Sequence, residues 1–444
     1  MFRSKYICPY CIKEEKTVRY KCHERECVLN SKKKRNDDGT CKLKIPCIFK
    51  SPDGRCSFSL DSMNRCSYYN DKVCSYSGAC PRKSDTGNCT YSHATHASCV
   101  QDNTFSSRNG KCPQCNTRST DVVCPDCHKS LPESTLNGED LIIAIVGSRA
   151  SGKSNYIGVL IRELQQRICC EFNASFEVAP PQGDSWQRYK NTFYSSLYGK
   201  NPQSVDQTDC AFNMGTSYEP LMFSFRMQRG SGFFRTIRTF TFVFFDTAGE
   251  TLENYHAMEA VNRYIAKADA IIFLVDPLQL AETELLLDEE LRKKSIRLGN
   301  VASPDEIVTH VSHLIRTQQN INPNSPIRIP TAVVLSKFDA VTSLLQSDSL
   351  QLLQPSPHCN KRKFVTSDFT TVDNEVRAIL GAWGANPFMR TMEVNYSNHA
   401  YFIASSFGLN NMPESGGYIN RPNPHRIEDA LLWILYQKNY VDSA

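Results

Sequence analysis

Short apolar runs recur along the C-terminal two-thirds of the chain, and each gives way at once to small or polar residues. They are LIIAIV at 141–146, FTFVFF at 240–245, TAVVL at 331–335 and AYFIA at 400–404. Uninterrupted runs of this length suit strands covered on both faces, the situation in a parallel sheet. AIIFLV at 270–275 reads the same way, and PLMFSFRM at 220–227 as a further strand. Between the runs the apolar spacing changes to three and four. Ile157, Leu160, Ile161 and Leu164 share one helical face, as do Trp186, Tyr189, Phe193 and Leu197. Segments within 281–320 and the closing HRIEDALLWILYQKNY also read as helices. Strands alternating with helices predict an α/β fold, a mostly parallel sheet with helices on both faces.

Residues 1–129 lack that alternation and are dominated by cysteine. Sixteen of the 20 cysteines lie there, the rest being Cys169, Cys170, Cys210 and Cys359. The polar stretch SLPESTLNG at 130–138 then reads as a linker between a small cysteine-rich region and a larger domain at 139–444.

The sixteen cysteines form four sets. Cys8-x2-Cys11-x10-Cys22-x4-Cys27 and Cys112-x2-Cys115-x8-Cys124-x2-Cys127 each have the spacing of a zinc ribbon, 8–27 and 112–127. Between them, Cys41, Cys47, Cys56 and Cys66 follow C-x5-C-x8-C-x9-C. Cys74, Cys80, Cys89 and Cys99 repeat it 33 residues later, giving two copies of one module, 41–66 and 74–99. Four thiolates complete the tetrahedron of a closed zinc site, so up to four zinc ions are expected, one per set. The alternative is a disulfide framework. The start, MFRSKYICPYC, has no apolar signal-peptide core, so a cytoplasmic chain with reduced thiols is expected, which favours metal. Iron–sulfur spacings are absent. Within the repeats the ligands can cross, and His93 or His96 can replace a thiolate or stand as ordinary surface residues.

Charge adds less than it first promises. Residues 1–138 carry 23 Lys+Arg against 14 Asp+Glu, a balance suited to nucleic acid. Four zinc tetrathiolates at −2 each take that balance from +9 to +1, which withdraws the support. The cluster SKKKR at 31–35 suits a nucleic-acid contact or a solvated loop. No run of about 18 apolar residues occurs, so no membrane-spanning helix is expected.

The chemistry concentrates after the strands. The first runs into Gly147-Ser148-Arg149-Ala150-Ser151-Gly152-Lys153-Ser154-Asn155, followed by a helix. Strand, glycine-rich loop and helix is the setting of a P-loop. Its backbone N–H groups wrap phosphates, Lys153 reaches the β and γ phosphates, and the Ser154 hydroxyl suits Mg²⁺. The second motif strand ends in DTAGE. Asp246 can hold Mg²⁺ through water, and Gly249 lets its backbone approach a γ-phosphate. Asp276 also ends a strand, but with no glycine three residues on it reads as a polar cap. After the strand at 331–335 comes Ser336-Lys337-Phe338-Asp339. The Asp339 carboxylate can accept from guanine N1–H and its 2-amino group, whereas adenine offers no donor there. The stem of Lys337 can lie along the base. The last strand leads into Ser405-Ser406-Phe407, where a backbone N–H can contact the base.

GSRASGKS, DTAGE, SKFD and ASSFG, in that order and each behind an apolar strand, resemble the motif series of P-loop GTPases of the Ras and translation-factor type from about residue 139 onward. The resemblance implies GTP, GDP and Mg²⁺ as ligands and a switch threonine that closes over Mg²⁺, either Thr208 or Thr216. Against that frame, 171–219, 281–325 and 343–397 are insertions. The sequence departs from the family pattern at four points. Ser405-Ser406-Phe407 stands where Ser-Ala-Lys or Ser-Ala-Leu is commoner. Ser336 stands where Asn or Thr is commoner. Glu250 stands where Ras-like enzymes have a water-orienting Gln. Arg149 stands where small Ras-like proteins have Gly, and it can stabilise charge in cis or be a solvated loop residue. Slow hydrolysis by the isolated protein, accelerated by a partner or by self-association, is therefore expected. The N-terminal ribbons, the long first switch region and the final helix are together similar to the prokaryotic double-GTPase group linked to conflict and defence gene clusters. That resemblance implies a signalling or defence switch whose zinc region recognises a protein partner. The alternatives are a GTP-dependent translation-type factor bound to nucleic acid and a nucleotide-controlled assembly scaffold.

Overall fold

The structure is a computed structural model. It describes residues 5–31, 36–44, 50–56, 69–70, 73–74, 103–137, 140–181, 183–205, 220–229, 236–244, 263–280, 303–345, 347, 349–410 and 419–444. The chain divides into two compact units, Phe2–Leu131 and Pro132–Ala444.

The larger unit is built on a seven-stranded sheet. Its strands are β1 (Asp140–Gly147), β2 (Ala174–Val178), β3 (Leu221–Arg229), β4 (Thr236–Phe244), β5 (Ala270–Val275), β6 (Thr331–Leu335) and β7 (His399–Ile403). The spatial order is β7-β6-β5-β1-β4-β3-β2. Neighbours from β7 through β4 are parallel, and only β3 and β2 join antiparallel at one edge. The mostly parallel α/β sheet expected from the apolar runs is what forms.

Alternating residues of each strand face opposite layers. Leu141, Ile143 and Ile145 of β1 share one core with Ile157, Leu160, Ile161 and Leu164 of the helix α1 (Lys153–Glu163) and its continuation. Leu431, Leu432, Trp433, Ile434 and Leu435 cover the same side from the closing helix, Asp429–Gln437. On the other side, the ring of Phe273 in β5 meets Tyr396, whose hydroxyl accepts from Ser312 on the helix Pro304–Gln319. That helix starts at a Ser303–Glu306 capping box. Helices thus lie on both faces.

Of the stretches read as insertions, 171–205 folds inward. Tyr189, Phe193 and Leu197 are buried and Trp186 packs against the core, so this aromatic stripe serves the domain interior. In 343–397 the described structure is mainly helical, with Thr366–Ala382 and Asn386–Asn395 as its main helices. No helix among the described residues is long and apolar enough to cross a membrane.

Among its described residues the smaller unit has little regular structure. A three-stranded sheet of Arg19–Lys21, Thr104–Phe105 and Val122–Val123 is the largest there. Its core is a small cluster in which Tyr20, Leu29, Leu43 and Phe105 surround cysteines.

Candidate nucleotide and metal sites

The sheet register brings the motif residues together. Leu274 lies opposite Gly147, Val275 opposite Leu335, and Leu335 opposite Ile403. The strands β1, β5, β6 and β7 therefore end at one level, and the next residues of each, from 148, 276, 336 and 404, share one rim. Ligands of open α/β sheets bind outside the carboxyl ends of the strands.

The glycine-rich loop is shaped by its neighbours. A Cβ on Gly147 would stand 2.5 Å from both the Leu274 carbonyl and the Ser151 hydroxyl, so only glycine fits. Gly152 at φ +84° makes the left-handed turn into α1, and Ala150 is also left-handed. The Lys153 ammonium donates to the carbonyls of Gly147 at 3.0 Å and Ser148 at 2.7 Å. Asn155 Oδ1 accepts from the Val205 N–H at 2.8 Å, tying the start of α1 to the chain just before residue 206.

Two loops far along the chain hold this one. The Ser336 hydroxyl bonds the Ser151 carbonyl at 2.8 Å, with the Val275 carbonyl at 3.2 Å. The next residue, Lys337, is left-handed, its stem lies over Gly152, and its ammonium pairs with Asp276 at 2.8 Å. Asp276 does cap the turn Pro277–Gln279, accepting from Leu278 N–H, but its other oxygen takes the lysine. Sequence reasoning saw the cap and missed the ion pair, which only the β5–β6 adjacency creates. It also missed Gln279. The Ser148 hydroxyl donates to Gln279 Oε1, and Gln279 Nε2 donates to the Arg149 carbonyl at 2.9 Å.

Asp339 is buried beside this circuit. Ser405 Oγ donates to its Oδ1 at 2.5 Å and accepts from Gly408 N–H. Burial pushes the Asp339 carboxyl above its ordinary range, opposed by the Ser405 hydroxyl and the charge of Lys337. The Ser405 N–H is spent on the His425 carbonyl, and the Asn423 N–H donates to the Phe407 carbonyl. Ser406 is half-buried between them. Thr208, Thr216, Asp246, Gly249 and Glu250 lie outside the described residues.

In the cysteine-rich unit the thiols do gather in fours, but the sets differ from those the spacing suggested. Cys8 and Cys11 meet Cys124 and Cys127, while Cys22 and Cys27 meet Cys112 and Cys115. The expectation of one tetrad per ribbon is thus corrected: the first and last pairs form one set, nested around the other. The knuckles are local but their pairing is not. Cys8, Cys112 and Cys124 each begin the same turn, with paired backbone bonds to residues four and five further on and a left-handed residue at Ile12, Asn116 or His128. Each such knuckle presents two sulfurs in one direction, and strand pairing, not proximity in sequence, decides which pairs face. Sulfurs stand at 3.7 Å for Cys8–Cys127, 3.8 Å for Cys11–Cys124, 3.7 Å for Cys22–Cys115 and 4.0 Å for Cys27–Cys112. Tetrahedral zinc with Zn–S near 2.3 Å sets sulfurs about 3.8 Å apart, far from a disulfide's roughly 2 Å. Both sets fit zinc.

Of the repeats, Cys41 and Cys56 are held by paired backbone bonds to Gly54 and Gly39. Gly54, in the segment DGRC, takes a left-handed turn. Cys74 lies in a short strand, and Cys47, Cys66, Cys80, Cys89, Cys99, His93 and His96 lie outside the described residues.

A third cluster, His358, Asp368 and Asp429, also brings ligand atoms together. Its cation is already present. The Arg426 guanidinium, fully buried, bonds Asp368 at 3.0 Å and Asp429 at 2.6 Å. His358 Nδ1 accepts from the Val365 N–H, so in the neutral ring Nε2 carries the proton and faces the carboxylates. We read this as an ion network, not a metal site.

The fold sets a glycine-rich loop at the carboxyl rim of a mostly parallel α/β sheet. The pattern of the Double-GTPase 2 family matches residues 141–402, and the chain belongs to that family. It is also similar to a protein of Mycolicibacterium smegmatis named for ESX-1 scaffolding and assembly, SaeC. The two are 31% identical over 222 residues, which span 50% of this chain and 52% of the relative.

Proposed function

We propose that the chain is a GTP-binding and GTP-hydrolysing switch whose zinc-holding N-terminal region contacts a protein partner in the cytoplasm. The observation that carries the reading is the circuit Ser336–Ser151 and Lys337–Asp276, which fastens the loop of Asp339 to the glycine-rich loop 185 residues away in sequence. Base selection and phosphate binding then share one frame. Asp339 accepts from guanine. The backbone from Gly147 to Ser154 wraps the phosphates, Lys153 exchanges its loop carbonyls for a phosphate, and Ser154 with Asp246 and either Thr208 or Thr216 holds Mg²⁺. That cation supplies charge neutralisation at the phosphates when bound. Gly249 and the switch threonine change the partner surface on phosphate loss. Glu250 and Arg149 are the groups to examine for hydrolysis, which is slow in the isolated chain.

The relative's name favours a second reading, a scaffold whose assembly is set by nucleotide. Sizing the full chain with GDP and with a non-hydrolysable GTP analogue, with and without RNA, separates them. Nucleotide-dependent oligomers favour assembly, and a salt-sensitive RNA complex favours a nucleic-acid factor. Absence of guanine-nucleotide binding overturns the proposal.

A further inference from the structure

Gln279 belongs to none of the motifs, yet both ends of its carboxamide are spent on the glycine-rich loop. Oε1 accepts from the Ser148 hydroxyl, and Nε2 donates to the Arg149 carbonyl at 2.9 Å. The same stretch is held by Lys153, through the carbonyls of Gly147 and Ser148. The turn presenting Gln279 is itself fixed. Asp276 Oδ1 accepts from Leu278 N–H, the Asp276 carbonyl accepts from Gln279 N–H, and Asp276 Oδ2 pairs with Lys337. Asp276 is therefore a junction, with one arm to the base-side loop and one to the residue that grips the front of the phosphate loop.

We propose that Gln279 is a positioning residue for GTP hydrolysis, an inference that rests on the GTPase reading above. It fixes Ser148 by its hydroxyl and Arg149 by its carbonyl and, through these residues, the carbonyls that Lys153 leaves to meet a phosphate. A loop lysine of this kind reaches the β and γ phosphates, so a loosened loop front costs the triphosphate reaction more than it costs binding of the diphosphate. The amide is required because one end accepts and the other donates. In Gln279→Glu the Ser148 contact survives, but a carboxylate oxygen faces the Arg149 carbonyl.

The test uses the full chain and measures single-turnover hydrolysis at saturating GTP, together with GDP affinity. Gln279→Ala is expected to slow hydrolysis about 10-fold, or about 1.4 kcal/mol in the barrier, with GDP affinity within about twofold of the parent. Gln279→Glu is expected to fall at least as far. Ser148→Ala combined with Gln279→Ala is expected to be no slower than Gln279→Ala alone, because the Ser148 contact is already lost in Gln279→Ala. A Gln279→Ala protein that hydrolyses like the parent overturns the inference alone. So does a parallel loss of GDP affinity and hydrolysis, which marks a merely structural role. A parent chain that binds neither nucleotide overturns the proposed function and this inference with it.

Discussion

The Ser405 hydroxyl reaches Asp339 across 2.5 Å, joining loops that follow adjacent strands but stand 66 residues apart. The carboxylate is thereby oriented by one hydroxyl and one buried wall, and burial raises its pKa. A group in that state is costly to ionise in the folded chain and gains by meeting donors.

Asp339→Asn should accordingly separate stability from binding. The raised folded pKa means the carboxylate's contribution to stability is fullest at low pH and is lost as pH rises through that pKa. At pH 7 the ionised group therefore opposes folding, and its neutral amide removes the opposition while still accepting from Ser405. The melting temperature of the nucleotide-free variant is expected at or above the parent's. GTP affinity should drop on the order of 100-fold, since two hydrogen bonds to a charged acceptor are lost, and xanthosine triphosphate should gain. Calorimetry and nucleotide titration check both. An undiminished GTP affinity would remove the assignment of guanine.

Ser336→Ala deletes the bond that ties the base-side loop to the phosphate loop. The Ser151 carbonyl loses its hydroxyl partner in a buried setting, which costs about 1–3 kcal/mol. For a unit of this size that is a fall of several degrees in melting temperature. GTP and GDP affinities should weaken together, since the frame serves both. A variant that melts and binds like the parent would show that the two loops hold their places without this bond.

Legibility followed locality. The parallel strands were readable because burial on both faces leaves an uninterrupted apolar run, as at 331–335. Asp276 was half legible: its cap is made to Leu278, two residues on, whereas its pairing with Lys337 depends on β5 lying beside β6. Gln279 carried no signal, because a glutamine four residues beyond a strand is unremarkable until β5 is known to lie beside β1. The cysteine sets failed for the same reason. Spacing reveals that Cys8 and Cys11 form a knuckle, but not which knuckle faces it.

The nested arrangement of thiols makes a stoichiometric prediction. Replacing Cys8, Cys11, Cys124 and Cys127 by Ser should remove one zinc ion, because these four form one set. Replacing Cys8, Cys11, Cys22 and Cys27 should remove two, because it halves both sets. Native mass spectrometry of the two variants counts the ions directly. Both carry four substitutions, so general weakening of the region affects them alike. Loss of a single ion from the second variant would restore the ribbon-by-ribbon pairing and sink the nested one.

Arg426 offers the last prediction. Its guanidinium bonds Asp368 and Asp429 and donates to the carbonyls of Gln351, Leu352 and Gln354, and the adjacent His425 pairs with Ser405 through both backbone bonds. Arg426→Ala leaves two buried carboxylates without their cation, a loss of about 3–5 kcal/mol. Burial works against the charge of Asp368, yet the bonds and charge of Arg426 bring its pKa below the ordinary value. Its stabilising contribution in the parent is thus present above the unfolded pKa and lost as pH falls through the folded one. His358 acts with the same sign in a higher pH window. Burial lowers its pKa against the pull of Asp429 and Asp368, so the parent loses stability as pH falls below about 6.5. Without Arg426, protonated His358 becomes the cation facing both carboxylates, and acidification then relieves the cluster. The destabilisation measured by urea unfolding should therefore be smaller at pH 5 than at pH 8. An equal penalty at both values would mean that the carboxylates find another partner, and that His358 takes no part in the network.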